Sequence, residues 1–372
     1  MKRAMKIGLL IELRHPKNSI ALFLVIVAMI AAMFYTKSQM AGNQIAEGTK
    51  EFYAIQSALT KFQLMDASEA GDGSPIYKNL HKQKTAIALQ VANLKMSKDK
   101  QFYKTSYRLA LARQDMYELE GYEKVRKNMP SKLQNDMNLV YYKYLVDTDA
   151  KIYNDTLQYW AFLLFVFSMI SAVWYLFISF YTSNILLDDY EHATVVRGYP
   201  IAFSTYMLSK CMTVFLYIVG FIALIFIVAL PLYVQVGSGD IEFPVVFYNG
   251  EVKLLMTWQF IAMIIGFMML TAIFGMLFSI ILNVLLKNMY LTLFVQGACF
   301  FLPIIFPRLI EWFPFNPFHY VHFNFILNGG PFALSPPVDV TMTDGVWIIL
   351  IAIVLMLFII KQFFSVGKIR RV

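Results

Sequence analysis

Charge is what this 372-residue chain has least of: Asp, Glu, Lys and Arg make up 15% of it, against 58% hydrophobic residues. Soluble domains carry about 25% charged residues and at most about half apolar ones, so a water-soluble enzyme is excluded. The shortage is concentrated in blocks. No charged residue occurs from Asn18 to Thr36, from Thr156 to Leu187, from Cys211 to Gly239, from Leu254 to Leu286, or from Asn288 to Pro307. Each block exceeds the ~18 residues that a helix needs to cross a bilayer. Cysteine is nearly absent too. Cys211 and Cys299 both fall inside apolar blocks, which excludes a disulfide scaffold and a cysteine-based metal cluster.

Further absences narrow the function. There is no phosphate-cradling GxxxxGK[ST] loop, so the chain has no visible means of hydrolysing a nucleotide itself and is not expected to be an enzyme or to hold a cofactor. The apolar blocks contain no Asp, Glu, Lys or Arg away from their ends, which disfavours an ion-coupled carrier or proton pump. No Ser/His/Asp set or intramembrane carboxylate pair suggests a protease. Asn283 and Gln296 are the main amides in the blocks, and hydrogen bonding between helices accounts for both. His319 and His322 with Glu311 upstream lack the third ligand and open position of a catalytic zinc. The expectation is a pair of solvated, interfacial histidines and no metal. The formal charge of +8 sits at membrane edges and in one polar insert, where it reads as a topology signal and not as a nucleic-acid site.

What is present reads as an all-α polytopic membrane protein. Six transmembrane helices are expected at 18–36, 157–183, 208–234, 256–286, 289–307 and 345–366. Residues 1–17 form an amphipathic interfacial helix whose Lys2, Arg3, Lys6 and Arg14 share a stripe facing anionic membrane lipid, and Pro16 ends it. A basic start before an apolar run also suits a signal peptide, but this amphipathic stretch is too long for one. With six spans the basic N-terminus, Lys287 and the 367–372 tail (Lys368, Arg370, Arg371) share one face, which the positive-inside rule makes cytoplasmic. The localisation expected is the cell membrane, with both termini inside.

Residues 37–156 then form an extracytoplasmic helical domain with 18 Lys/Arg and 14 Asp/Glu. Ile45, Phe52, Ile55, Leu59 and Phe62 share a helix face; so do Leu80, Ile87, Val91 and Leu94, and Leu133, Met137, Val140 and Tyr144. Breaks are expected at Gly71–Pro75 and Met129-Pro130, with the first and last helices prolonging spans one and two. Residues 235–255 read as an external loop. Residues 308–344 are aromatic, proline-rich and too interrupted for a straight helix, so a re-entrant or interfacial segment is expected, shielded from lipid.

The informative connection is 184–207, the only long cytoplasmic loop. It gathers Asp188, Asp189, Glu191, His192 and Arg197 and reads as a short helix ready to dock in a groove of a soluble partner. Its three carboxylates also suit the positive end of that helix's dipole. This segment resembles the transmembrane subunits of type-2 ABC exporters, the ABC-2-like permeases. In that family an interfacial helix leads into six spans, and a coupling helix with an acidic start links spans two and three. A proline turn and a lysine that opens span three follow. Glu191, Thr194, Pro200 with Ile201, and Lys210 match those features, and Asn316-Pro317 resembles the family's helices before the last span.

The resemblance implies coupling to an ATPase through Asp188, Asp189, Glu191, His192, Thr194, Arg197, Gly198, Tyr199 and Pro200, with Lys210 as a membrane anchor. It implies a re-entrant segment that includes Glu311, Asn316 and Pro317. It further implies a dimer of permeases, this chain with a second copy or a paralogue, served by soluble ATPase subunits that bind ATP and Mg. The expected activity is export of an amphipathic or hydrophobic cargo such as a peptide, an antibiotic or a lipid-like molecule. A membrane sensor or scaffold whose helical domain binds an extracellular ligand without transport is the alternative from another class.

Overall fold

The computed structural model describes residues 16–39, 44–63, 74–148, 157–187, 203–331, 338 and 340–365. Its helices fall into two groups, separated by how their apolar residues are spaced. Between residues 44 and 148 apolar residues recur at helical intervals among charged ones, so each helix buries one face. Helix α1 (Pro16–Gln39) precedes this group. Within the group, α2 (Gln44–Gln63) buries Ile55, Leu59 and Phe62, and α3 (Pro75–Lys95) buries Leu80, Ile87 and Leu94. Helix α4 (Asp99–Met116) buries Phe102, Leu109 and Met116. A short α5 (Tyr122–Val125) and a 3-10 turn then lead into α6 (Lys132–Thr148), which buries Leu133, Met137 and Leu145. Burying each such side chain contributes roughly 1.5–3 kcal/mol, and these faces make the domain's core.

The chain reverses where the backbone permits it. Ser74 caps α3 by accepting a hydrogen bond from the Tyr77 amide, and Pro75 occupies the first turn, where its missing N–H costs nothing. Two reversals lie beyond the expected breaks: Ser97 at φ 53° between α3 and α4, and Gly121 at φ 91° before α5. The expected continuity of this domain's helices with spans one and two depends on residues 40–43 and 149–156, which lie outside the described residues.

The second group is apolar on nearly all sides, the mark of helices in lipid or deep in a core. It comprises α1 with α7 (Tyr159–Thr182), α8 (Phe203–Gln235), α9 (Thr257–Leu286) and α10 (Met289–Ile305). After α10 come three short helices, α11 (Leu309–Trp312), α12 (Pro317–Tyr320) and α13 (Phe323–Leu327), and then the long α14 (Met342–Ser365). Among the described residues four helices, α7, α8, α9 and α14, are long and apolar enough to cross a membrane. The protein is a mainly helical, multi-pass membrane protein. Shorter apolar stretches, Leu22–Lys37 in α1 and Met289–Ile305 in α10, stand where spans one and five are expected. Helix α9 is the hub, packed on α7, α8, α10 and α14.

One element departs from the all-helical expectation. The 235–255 segment, read from sequence as a loop, contains an antiparallel hairpin of β1 (Pro244–Tyr248) and β2 (Val252–Met256), with Val246 opposite Leu254. The reason is local: the β-branched and aromatic run at 245–248 and the mainly apolar run Val252–Met256 flank a turn that opens with Asn249-Gly250, a strong hairpin signal, and Gly250 takes φ 77°. The hairpin lies between the two helix groups. Its Val246, Tyr248 and Val252 pack on Leu133 and Met137 of α6, while Phe247 joins the bundle core. Asn249 accepts a hydrogen bond from the Met342 amide at the start of α14 (2.9 Å). The helical domain, the hairpin and the 308–344 segment therefore meet at one end of the bundle.

Candidate functional site

At the other end of the bundle, where α7 runs out toward residue 188, uncharged polar side chains form a buried chain. Thr182 on α7 shares a hydrogen bond with Ser279 on α9 (2.6 Å), and Gln296 on α10 donates to the same Ser279 hydroxyl (2.8 Å). One turn further, the Asn283 side chain donates to the Ser183 carbonyl (2.8 Å) and to the Thr292 hydroxyl (3.3 Å), and accepts from the Leu186 amide (3.2 Å). These polar side chains are buried, and Gln296 Oε1 has no hydrogen-bond partner among the described residues.

Geometry explains why this set works. Carbonyls in the last turn of a helix have no partner within it, and in hydrocarbon water cannot serve them. Asn283 supplies both a donor and an acceptor to the Ser183–Leu186 turn, and so fixes the end of α7 against α9. Thr292 and Gln296, four residues apart, present one face of α10 to the same point. The connection from α9 to α10 is correspondingly tight: Lys287 closes α9 in the left-handed conformation (φ 49°), and Asn288 caps α10 through the Leu291 amide. The three helix ends around the root of the 188–202 connection are thus pinned to one another.

Above this node sits an aromatic layer fed by the interrupted segment. Asn316 caps α12 by accepting from the Phe318 amide (3.1 Å), and Pro317 takes the first turn. The cap aims Phe318 into the bundle, where its ring meets Tyr175, Phe274 and Phe278. Tyr175 lies about 10 Å from the end of α7 at 1.5 Å per residue, so the segment reaches deep between the long helices. Tyr320, Val321, Phe323, Ile326 and Leu327 are buried there, and Asn324 donates to the Ser168 carbonyl of α7 (3.0 Å). Gly275 allows the close approach: a Cβ there would stand 3.0 Å from Ile178 and 3.3 Å from Tyr175.

The histidines are a correction. They were expected in solvent at the interface, but His319 is only 5% exposed and its Nε2 has no partner, while His322 Nε2 lies 2.9 Å from the Phe300 carbonyl. The apolar residues around them in the sequence drive α12 and α13 into the bundle and carry both rings along. Glu311 stays exposed on α11.

Lys210 lies two turns inside α8, which starts at Phe203, ahead of the expected position 208. Lys2, Arg3, Lys6 and Arg14 lie outside the described residues, as do Asp188, Asp189, Glu191, His192, Thr194, Arg197, Gly198, Tyr199 and Pro200. The structure does describe the root of the 188–202 connection, and that is the polar node. Searches of family descriptions, curated proteins and solved structures find no significant match to this chain.

The sequence identified Asn283 and Gln296 as helix-bridging amides. It did not identify Thr182, Ser279 and Thr292 as their partners. A signal existed: Ser279 and Asn283 are four apart, as are Thr292 and Gln296, in blocks otherwise poor in polar side chains.

Proposed function

We propose that this chain is the permease subunit of an ATP-driven exporter of the type-2 ABC kind, with six spans and both termini in the cytoplasm. Separate soluble ATPase subunits, binding ATP and Mg, dock on the 188–200 segment of each of two permeases. The cargo is amphipathic or hydrophobic, with peptides favoured because a separate helical domain of this size is suited to receive or release a bulky substrate. The observation that carries this reading is the Thr182–Ser279–Gln296 and Asn283–Thr292 node at the root of that segment.

A partner that moves the 188–200 segment moves the end of α7, and the node conveys that displacement to α9 and α10. A hairpin that served only to join two spans would not need such a tie. Outward of the node, Phe318 and its aromatic neighbours close the path between α7, α9 and α10. Opening it requires ring contacts to part without exposing any charge, which suits passage of apolar cargo.

The test pairs this chain with the soluble ATPase encoded nearest to it, in liposomes. Co-purification and ATPase stimulation by the permease are the expected results. Glu191→Lys or Arg197→Glu should release the ATPase, since breaking one side of a buried interfacial charge pair costs ~2–5 kcal/mol. Asn283→Leu should keep ATPase binding but lose stimulation. If no ATPase associates, the protein is instead a sensor or scaffold.

A further inference from the structure

The basic charge of the helical domain is concentrated in one part of it. From Ser74 to Ala112 the chain has eight Lys or Arg residues and one acid, Asp99, whereas from Arg113 to Thr148 it has six of each sign. Helix α3 has no carboxylate at all. Here α3 and α4 run side by side and leave a groove of about 650 Å³ between them. Its walls carry Lys78, His81, Lys82 and Arg108, all exposed, and among the described residues no acidic side chain lines it. Among the described residues, none of these three Lys and Arg side chains has an ion-pair partner. The remaining surface is largely apolar: Tyr77, Ala86 and Ala112 form the floor, and Leu89 is 53% exposed at one end.

We infer that this groove is a binding site for an extended acidic peptide segment that carries apolar side chains between its carboxylates. Charge complementarity selects the anion, because Lys78, Lys82 and Arg108 converge beside His81 where no acidic side chain among the described residues lines the groove. Lys78 and Lys82 are one turn apart on α3 with Arg108 facing them from α4, so successive carboxylates of a bound strand find a cation on either wall. Apolar side chains on its other face settle on Ala86, Leu89 and Ala112. From Tyr77 to Leu89 the groove runs about 18 Å at the helical rise, which accommodates roughly six extended residues.

Position argues against a lipid headgroup as the occupant. Helix α3 packs on α2 and α4, and the domain meets the bundle through α6 and the hairpin, so the groove lies away from that junction. The inference concerns the permease alone and does not depend on its coupling to an ATPase.

The test uses the full chain in nanodiscs of zwitterionic lipid and the fluorescein-labelled peptide Glu-Leu-Glu-Ala-Glu-Leu, followed by fluorescence anisotropy. Binding is expected for this peptide and not for its Lys-substituted counterpart, and it should weaken when salt shortens the screening length well below ~10 Å. Lys82→Glu with Arg108→Glu should reduce affinity by about tenfold or more, since two charge-assisted contacts become repulsive. Lys127→Glu with Lys143→Glu makes the same change in net charge elsewhere on the domain and should leave binding intact. Leu89→Ser, at an exposed position, should weaken binding without changing its salt dependence. Equal losses from both charge-reversal pairs would overturn the site. So would the absence of peptide binding at low salt, or stronger displacement by inorganic phosphate, an oligonucleotide or phosphatidylglycerol vesicles than by unlabelled peptide.

Discussion

Buried amides bridge neighbouring helices in both halves of this protein, and in the 44–148 domain an ion pair stands beside such bridges. In the domain, Asn79 donates to the Ala112 carbonyl, Asn135 to the Ala110 carbonyl and Gln90 to Ser106, and beside them Arg113 meets Glu51 at 2.8 Å. In the bundle the bridges of the polar node use hydroxyls and carboxamides, and Trp174 adds its indole N–H to the Met268 carbonyl (2.8 Å). The solvent explains the contrast. A domain in water can leave Glu51 half in contact with it (43% exposed) while Arg113 is buried, so the pair is only partly desolvated. At membrane depth no water offsets a charge. Hydrophobicity also does different work in each half. It selects the inward face of every domain helix, whereas in the bundle Phe23, Phe34, Phe294, Val354 and Phe358 are as exposed as any polar side chain would be in a soluble protein. There, polar contacts and close-packed rings must choose the inner face.

The sharpest way to break the comparison is to attack the join between the halves. Gly329 has φ 69°, and a Cβ there would collide with Leu133 of α6. Gly329→Val should cost about 3 kcal/mol or more from strain and overpacking together. Proteolysis across α6 at rising temperature should then begin earlier, with the membrane helices still protected.

Next in size comes Glu51→Ala, which strands the buried Arg113 guanidinium. We expect a loss of about 2 kcal/mol, below the full value for a buried pair because Glu51 is partly hydrated, read as earlier thermal proteolysis of α2 and α4. In the bundle the equivalent deletion should be milder. Gln296→Leu removes one hydrogen bond and an unpartnered carbonyl, so a change of about 0.6 kcal/mol is expected, typical of interhelical bonds in membranes. A thermal shift in detergent as large as that of Glu51→Ala would refute the contrast.

The smallest effect is one of pH. Burial raises the pKa of Asp136 above its ordinary value, against a lowering by Lys132. An acid whose folded pKa is raised favours the fold most when protonated. Its contribution is therefore lost as pH rises from the unfolded pKa through the folded one, and at neutral pH the ionised group is a net cost. Asp136→Asn should slightly stabilise the domain at neutral pH and flatten its stability across the acid range.

How much of this could be read beforehand follows from the same contrast. The domain's buried faces were legible because water enforces the period: Ile55, Leu59, Phe62, Leu80 and Ile87 all point inward as their spacing demands. The long apolar helices were legible as blocks, to within a few residues at their ends. Their mutual packing was not, since an apolar block carries no mark of which side meets a neighbour. The burial of His319 and His322 was obscured for a related reason. A histidine among aromatics reads the same way at a wet interface as inside a bundle, and only the Asn316 cap and the rings it directs decide between them. The hairpin was hidden by Pro244, which looked like a loop residue but opens the outer strand β1, where its missing N–H is not needed.

The hairpin also has a mechanical consequence. Helix α6 rests on one face of it, Phe247 anchors its other face in the bundle, and its tip holds the first turn of α14 through Asn249. It therefore makes one two-stranded element the shared support of the helical domain, the bundle core and the head of α14, so three parts that are far apart in the sequence rest on the same few residues.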